Sequence, residues 1–145
     1  MPANTPTQAV IGYGSRLACE FTTGVFTDIA ECRNIGVPQS VADKIDATNQ
    51  DSPNRTKESV SGMIDPGEAN FELNWLPNDP TQDETTGVLS LFRSGATKNW
   101  RVTTPGATLI WTFPAYVNSF QPNIETQSLM TVAVGLVVNG ASTFA

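Results

Sequence analysis

Apolar and polar residues alternate most cleanly where Phe71, Leu73 and Trp75 are separated by Glu72 and Asn74. A period of two marks a strand with one buried face, so a strand is predicted from Glu68 onward. Upstream, residues 17–25 and 26–37 mix β-branched, aromatic and polar types around Gly24, which predicts two strands joined in a hairpin. Downstream, strands are predicted over 99–104, over 108–120 with a break near Pro114, and over 124–138. The first two are separated by the turn signal Pro105-Gly106. Within 108–120, Leu109, Trp111 and Phe113 share a face, and Ala115, Val117 and Ser119 continue that parity past the proline.

The period changes at Val88, Leu89, Leu91 and Phe92, whose i, i+3, i+4 spacing makes one apolar stripe of a helix. That helix is predicted over 79–94. Asp79 is placed at its N-cap, Pro80 at the first helical position and Gln82 as the capping-box partner, while Gly95 ends it. Gly87 weakens it. Between 38 and 66 the periodicity lapses: Asp43, Lys44, Asp46, Asp51, Arg55, Lys57 and Glu58 stand among scattered aliphatics, and the segment reads as a long loop. Connections beyond ~15 residues without secondary structure are uncommon in compact domains, and are usually functional or disordered. Residues 1–12, rich in Thr, Pro and Asn, read as an arm, with order starting near Tyr13. The resulting expectation is a mainly β fold of about six strands and one helix, without internal repeats.

A length of 145 residues fits one domain with one core. The net charge of -6 argues against holding nucleic acid through its phosphates, which requires a surplus of Lys and Arg. The segment from Met1 to Pro6 lacks the basic and apolar regions of a secretory signal. The longest apolar stretch, 129–138, is about half of a membrane span. A soluble protein made in the cytoplasm is therefore expected, with Cys19 and Cys32 as free thiols and no membrane insertion.

Candidate chemistry is sparse. No histidine is present, which removes Ser-His-Asp and Cys-His nucleophilic sites and most zinc sites. Glu68 with Glu72, or Asp83 with Glu84, offer carboxylate pairs for glycoside hydrolysis, but two solvated acids on one strand face explain the first pair more simply. Asp79, Asp83 and Glu84 lack the alternation and central glycine of a calcium loop, and capping accounts for them. Gly12-Tyr13-Gly14 has Leu17 where a nucleotide loop needs its third glycine, and Asn54-Arg55-Thr56 is a sequon without a secretory signal. Trp75, Trp100 and Trp111 would make a sugar platform if they faced solvent together, yet Trp75 and Trp111 share parity with core residues. Neither catalytic residues, cofactor nor metal is expected.

The ordered series Gly12-Tyr13-Gly14-Ser15-x-Leu17, Phe71-x-Leu73-x-Trp75-Leu76-Pro77, Leu89-x-Leu91-Phe92-x-x-Gly95, Trp100-x-Val102, Pro105-Gly106 and Ala115-x-Val117-x-Ser119-Phe120, closed by a strand ending at Gly140, runs through most of the chain. In this order and spacing the chain resembles the tail tube, or major tail, proteins of long-tailed phages with non-contractile tails. The resemblance implies a β-sandwich or open barrel flanked by a helix, six subunits per ring, and rings stacked into a virion tube. It makes 38–66 the loop that reaches the neighbouring ring, and implies other tail proteins at the tube ends and assembly in the host cytoplasm. Some relatives carry an extra immunoglobulin-like domain; none is expected here. In an acidic bore, DNA would pass without specific binding, and Glu20, Asp28, Glu31, Glu68 and Glu72, in or beside strand candidates, are the residues expected to face it. Competing readings are a monomeric carbohydrate- or ligand-binding β-sandwich, a small hydrolase with paired carboxylates, and another virion component such as a tail terminator or decoration protein.

Overall fold

A computed structural model describes residues 6, 7 and 9–145. Among these the elements are β1 (Arg16–Thr22), β2 (Val25–Asp28), β3 (Cys32–Gly36), β4 (Val41–Asp46), β5 (Ser59–Asp65), β6 (Glu68–Asn74), α1 (Val88–Ser94), β7 (Lys98–Thr103), β8 (Ile110–Asn123), β9 (Thr131–Val138) and β10 (Thr143–Phe144). The arm expected over 1–12 falls partly on 1–5 and 8, outside the described residues; 6, 7 and 9–12 carry no helix or strand.

One antiparallel eight-stranded sheet runs in the order β2-β1-β7-β8-β9-β6-β3, with β10 paired to β8. Its two ends, β2 and β3, are consecutive in the chain, so the sheet curls until only the link 29–31 separates them. That link bonds to both neighbours: Ile29 N–H donates to the Leu17 carbonyl at 2.9 Å, and Asn74 N–H donates to the Glu31 carbonyl at 3.0 Å. The predicted β-sandwich or open barrel is thereby formed. Inward residues of both halves, among them Leu17, Phe71, Leu73, Phe113 and Val134, make one core. Each such side chain contributes roughly 1.5–3 kcal/mol by leaving water. Trp100 is at the centre, 0% exposed, tilted against Phe71 at 5.6 Å and donating its indole N–H to the Ala115 carbonyl at 3.2 Å.

Several expectations need correction. The strand over 26–37 is two strands, because Glu31 takes φ 53 and turns the chain. Strand β8 is not broken at Pro114. The Pro114 carbonyl, and with it the missing N–H, faces the β9–β10 junction, where Asn139 N–H donates to that carbonyl at 2.9 Å, so the β7–β8 ladder on the other side loses no donor. The irregularity lies instead between Val117 and Ser119. There the inward set passes from Phe113, Ala115 and Val117 to Phe120, and Ser119 turns outward. Strand β9 starts at Thr131, later than predicted, and the short strand β10 was not anticipated.

The helix covers Val88–Ser94, not 79–94. Its start fails at Asp79 because the acids there serve tighter turns. Asp79 Oδ1 accepts from Thr81 N–H at 2.8 Å, and Asp83 Oδ1 accepts from the N–H groups of Thr86 and Gly87 at 2.8 and 2.9 Å. Gln82 is no capping partner. It is buried, taking the Leu76 N–H on Oε1 at 2.9 Å and donating Nε2 to the Ala30 carbonyl at 2.9 Å. The predicted end holds: Gly95, at φ 71, donates its N–H to the Leu91 carbonyl at 2.9 Å. Val88 and Leu91 enter the core, and Phe92 stacks on Phe120 at 6.3 Å.

Candidate assembly surfaces

Residues 38–66 are not a loop without secondary structure. Strands β4 and β5 pair antiparallel, with Ala42 opposite Ile64, Ile45 opposite Val60 and a bulge between Ala42 and Lys44. At the far end Ala47 N–H donates to the Glu58 carbonyl at 3.0 Å, and the Thr48 N–H, at 2.9 Å from Asp46 Oδ1, holds the Asp46 carboxyl below its usual range. A turn over 53–56 reverses the chain: Asn54 and Arg55 take φ 53 and 58, and Thr56 N–H donates to the Pro53 carbonyl at 3.0 Å.

This ribbon is exposed along both strands except at Gly62. Cross-strand partners share a face, so Ala42, Ile45, Val60 and Ile64 form one apolar side that stays largely exposed among the described residues. Asp43, Lys44, Asp46, Asp51, Arg55, Lys57 and Glu58 all lie on the ribbon and are exposed. Where it joins the body, Gly67 has φ 77, and a Cβ there would collide with the Gln39 carbonyl on the other leg. The root of the ribbon is therefore a tight backbone crossing.

The five acids expected to face a channel do not share one surface. Glu68 and Glu72 point away from the core on β6, opposite Val137 and Ala133 of β9. Glu72 pairs with Arg33 of β3 at 3.0 Å. Together with outward Ser119, Gln121 and Asn123 of β8, they belong to a mostly uncharged face built on β3, β6, β9 and β8. Its close packing is visible at Gly135, where a Cβ would fall on Ser119. Glu20 and Asp28 sit across the core, on the outward side of β1 and β2. There Glu20 accepts from the Asn99 side chain at 3.4 Å, and Asp28 lies 3.6 Å from Arg16. Glu31 is in the link 29–31 and accepts from Asn74 Nδ2 at 3.3 Å.

The remaining candidates gather into no catalytic cluster. Asp83 is held below the usual carboxylate range, chiefly by the Thr86 N–H, which is opposite to the need of a general acid. Glu84 pairs with Arg93 at 3.3 Å. Burial pushes the Cys19 and Cys32 thiols up to about 12, and both are free. Trp75 and Trp111 are half-buried against the core and Trp100 is enclosed, so the three do not form an exposed platform. Among the described residues no helix is long and apolar enough to cross a membrane.

A groove opens at the end of the sheet where β6 and β9 part, beyond the 3.2 Å bond from Val138 N–H to the Gly67 carbonyl. It encloses about 1080 Å³ between the ribbon root and the segment 139–142, with Trp111, Val137 and Phe144 among its lining. The rings of Trp111 and Phe144 lie 4.9 Å apart. Sequence reasoning missed this groove because the apolar residues that line it come from separate elements and follow no single period.

No curated protein matches the chain in sequence. Among solved structures, it is similar to a chain of the tail of the empty gene transfer agent (GTA) particle solved with C6 symmetry. That match has a TM-score of 0.74 and 20% identity, covering 94% of this chain and 99% of that one. A chain of the PVC extracellular contractile injection system, in its extended sheath-tube complex, matches with a TM-score of 0.71 and 9% identity over 95% of this chain and 92% of that one. The SPP1 tail tube matches with a TM-score of 0.64 and 12% identity over 94% and 78%. A family model, described as lambda phage tail tube protein, TTP, matches residues 12–145. The exposed ribbon, the curled sheet and this match across nearly the whole length agree, and the chain belongs to the lambda phage tail tube protein family, a structural component of a virion tail.

Proposed function

We propose that six copies close into a ring, that rings stack into the tube, and that the β4–β5 ribbon of each copy reaches the next ring. The observation that carries this is the ribbon's apolar side, on which Ile45, Val60 and Ile64 remain 52%, 53% and 68% exposed. A lone two-stranded hairpin is marginal in water, and ordering backbone costs ~1–2 kcal/mol per residue. Contacts from a neighbour supply the difference. Closure by six is supported by the C6 symmetry of the gene transfer agent tail, whose chain has the same fold.

The outward face of β3, β6, β9 and β8 is assigned to the bore. Its strands carry the charged side chains Glu68, Glu72 and Arg33, the last two paired, and Glu125 adjoins it beside Asn123, so it presents a negative and otherwise uncharged wall. At physiological salt such charge reaches about 8 Å, and DNA slides past without binding. Glu20 and Asp28 then lie away from the bore. The role is structural and not enzymatic, with assembly in the host cytoplasm and other tail proteins closing the tube ends.

Negative-stain microscopy of concentrated protein offered an initiator tests the assignment, hollow tubes being the expected result. Deleting 43–61 is expected to abolish tubes while the β-sheet circular dichroism of the body persists. A full-length sample that stays as single subunits overturns the whole reading; a shortened chain that polymerises normally overturns the role of the ribbon.

A further inference from the structure

Unpaired charges gather at the two ends of the ribbon with opposite sign. Among the described residues Arg16, Arg33 and Arg93 pair with carboxylates, and Arg101 lies over the Phe26 ring at 4.5 Å. Three of the four remaining cations, Lys44, Arg55 and Lys57, are on the ribbon, with Arg55 exposed at its far end. At the near end Asp65 and Glu68 line the groove, and among the described residues neither has a cationic partner. Trp111 and Phe144 line the same groove, their rings 4.9 Å apart. Two carboxylates beside two aromatic rings suit a guanidinium, which pairs with the former and stacks on the latter.

The chain's own Arg55 cannot enter. Strands β4 and β5 are paired from Val41 with Asp65 out to Asp46 with Ser59, and the Ala47–Glu58 bond carries the ribbon further. Arg55 is thereby held roughly 20 Å or more from Asp65. An identical copy stacked on this one meets no such bar. Equivalent points of successive rings are one ring spacing apart, and a body of this size is about 40 Å across. From its root to the turn at 53–56 the ribbon spans at most ~45 Å, so its tip falls level with the ribbon roots of the next ring, where the groove lies. The exposed apolar turn 124–130 is a poorer occupant, because it has no cation and carries Glu125, which would meet Asp65 and Glu68 with like charge.

We propose that the groove at the ribbon root receives the ribbon tip of a copy in the adjacent ring, the Arg55 guanidinium settling between Asp65 and Glu68 and against Trp111 and Phe144. This gives the ribbon its receiving site and rests on the assembly reading above. Arg55 then has a reason to stand at φ 58, where glycine would turn the chain with less strain.

Cross-linking and charge exchange test the contact. Tubes of the double variant Arg55→Cys, Ala141→Cys are oxidised, and non-reducing electrophoresis is expected to show a ladder of linked chains, each copy joined to the next along the tube. Wild-type tubes oxidised alike should give none. Asn54→Cys with Ser142→Cys supplies a second pair should the first impair assembly. Arg55→Glu and Glu68→Arg are each expected to raise the concentration needed for tubes about 10-fold, and their combination to restore it. Tubes that give no ladder with either pair overturn the proposal and leave the ribbon's role, tested by deletion, standing. Single variants that assemble like wild type, or a combination that recovers nothing, overturn the pairing of Arg55 with the groove. A link closed only within one chain overturns it in favour of self-docking. If the wild-type chain forms no tubes, the assembly reading fails and this one with it.

Discussion

At the residue scale, Asn54 and Arg55 hold left-handed backbone without the help of glycine, at φ 53 and 58. For a residue with a Cβ this costs roughly 1–2 kcal/mol. Strain of this kind persists where a side chain is needed, and Arg55 is exposed at the far end of the ribbon. Arg55→Gly is expected to slow amide exchange at Ala47, whose N–H closes the ribbon end, about 5-fold or more, and at the same time to lower tube yield. An unchanged yield would show that the guanidinium makes no contact in the assembly. Asp83 gives a second test. Its folded pKa lies below the ordinary 3.8 of an aspartate, so the stability it adds is complete above that pH and is lost as pH falls through the lower folded value. Asp83→Ala is expected to melt below wild type at neutral pH, with the two curves converging below about pH 4. A gap that stays constant into acid would deny the carboxylate this role.

Elements were legible in the sequence to the extent that their residues bury against their own chain. Strand β6 reads directly from Phe71, Leu73 and their polar neighbours, because one side meets the core and the other meets solvent. The ribbon did not, since Ile45 and Val60 stay half exposed outside the core and the bulge after Ala42 breaks the alternation. The helix start was misplaced for a related reason: Asp79, Pro80 and Gln82 match the chemistry of a cap but serve a turn whose shape is set by tertiary contacts. Gln82 is the tie, holding the segment after β6 to the link between β2 and β3. Gln82→Ala would leave the Leu76 N–H and the Ala30 carbonyl without partners, a loss of about 2–4 kcal/mol readable from the denaturant midpoint. Gly67→Ala probes the ribbon root. Its φ of 77 and the facing Gln39 carbonyl admit no Cβ, so the ribbon leg must shift. The variant is expected to assemble poorly with little change in melting of the body, whereas normal tubes would show that the angle of the ribbon is not set there.

For the whole molecule, the candidate channel wall follows from a division the sequence did not reveal. The five acids separate across the core, and the face that keeps Glu68 and Glu72 has only uncharged side chains on its β8 and β9 strands. Ala133 and Gln121 are opposite one another at its centre and both exposed, so lysines there add two positive charges per copy without disturbing the core. In a bore those charges converge from every subunit of a ring, and attraction for phosphate rises with each, in a salt-dependent manner. Tubes of the double variant Ala133→Lys, Gln121→Lys are expected to retain short duplex DNA at low salt, to shield it from nuclease and to release it as salt is raised. Wild-type tubes should retain none. Nuclease protection separates the bore from the outside, because DNA held on an outer surface stays open to digestion. Retained DNA that is fully digested would place the face of β3, β6, β9 and β8 on the exterior, and the same charges would then mark the outer wall of the tube.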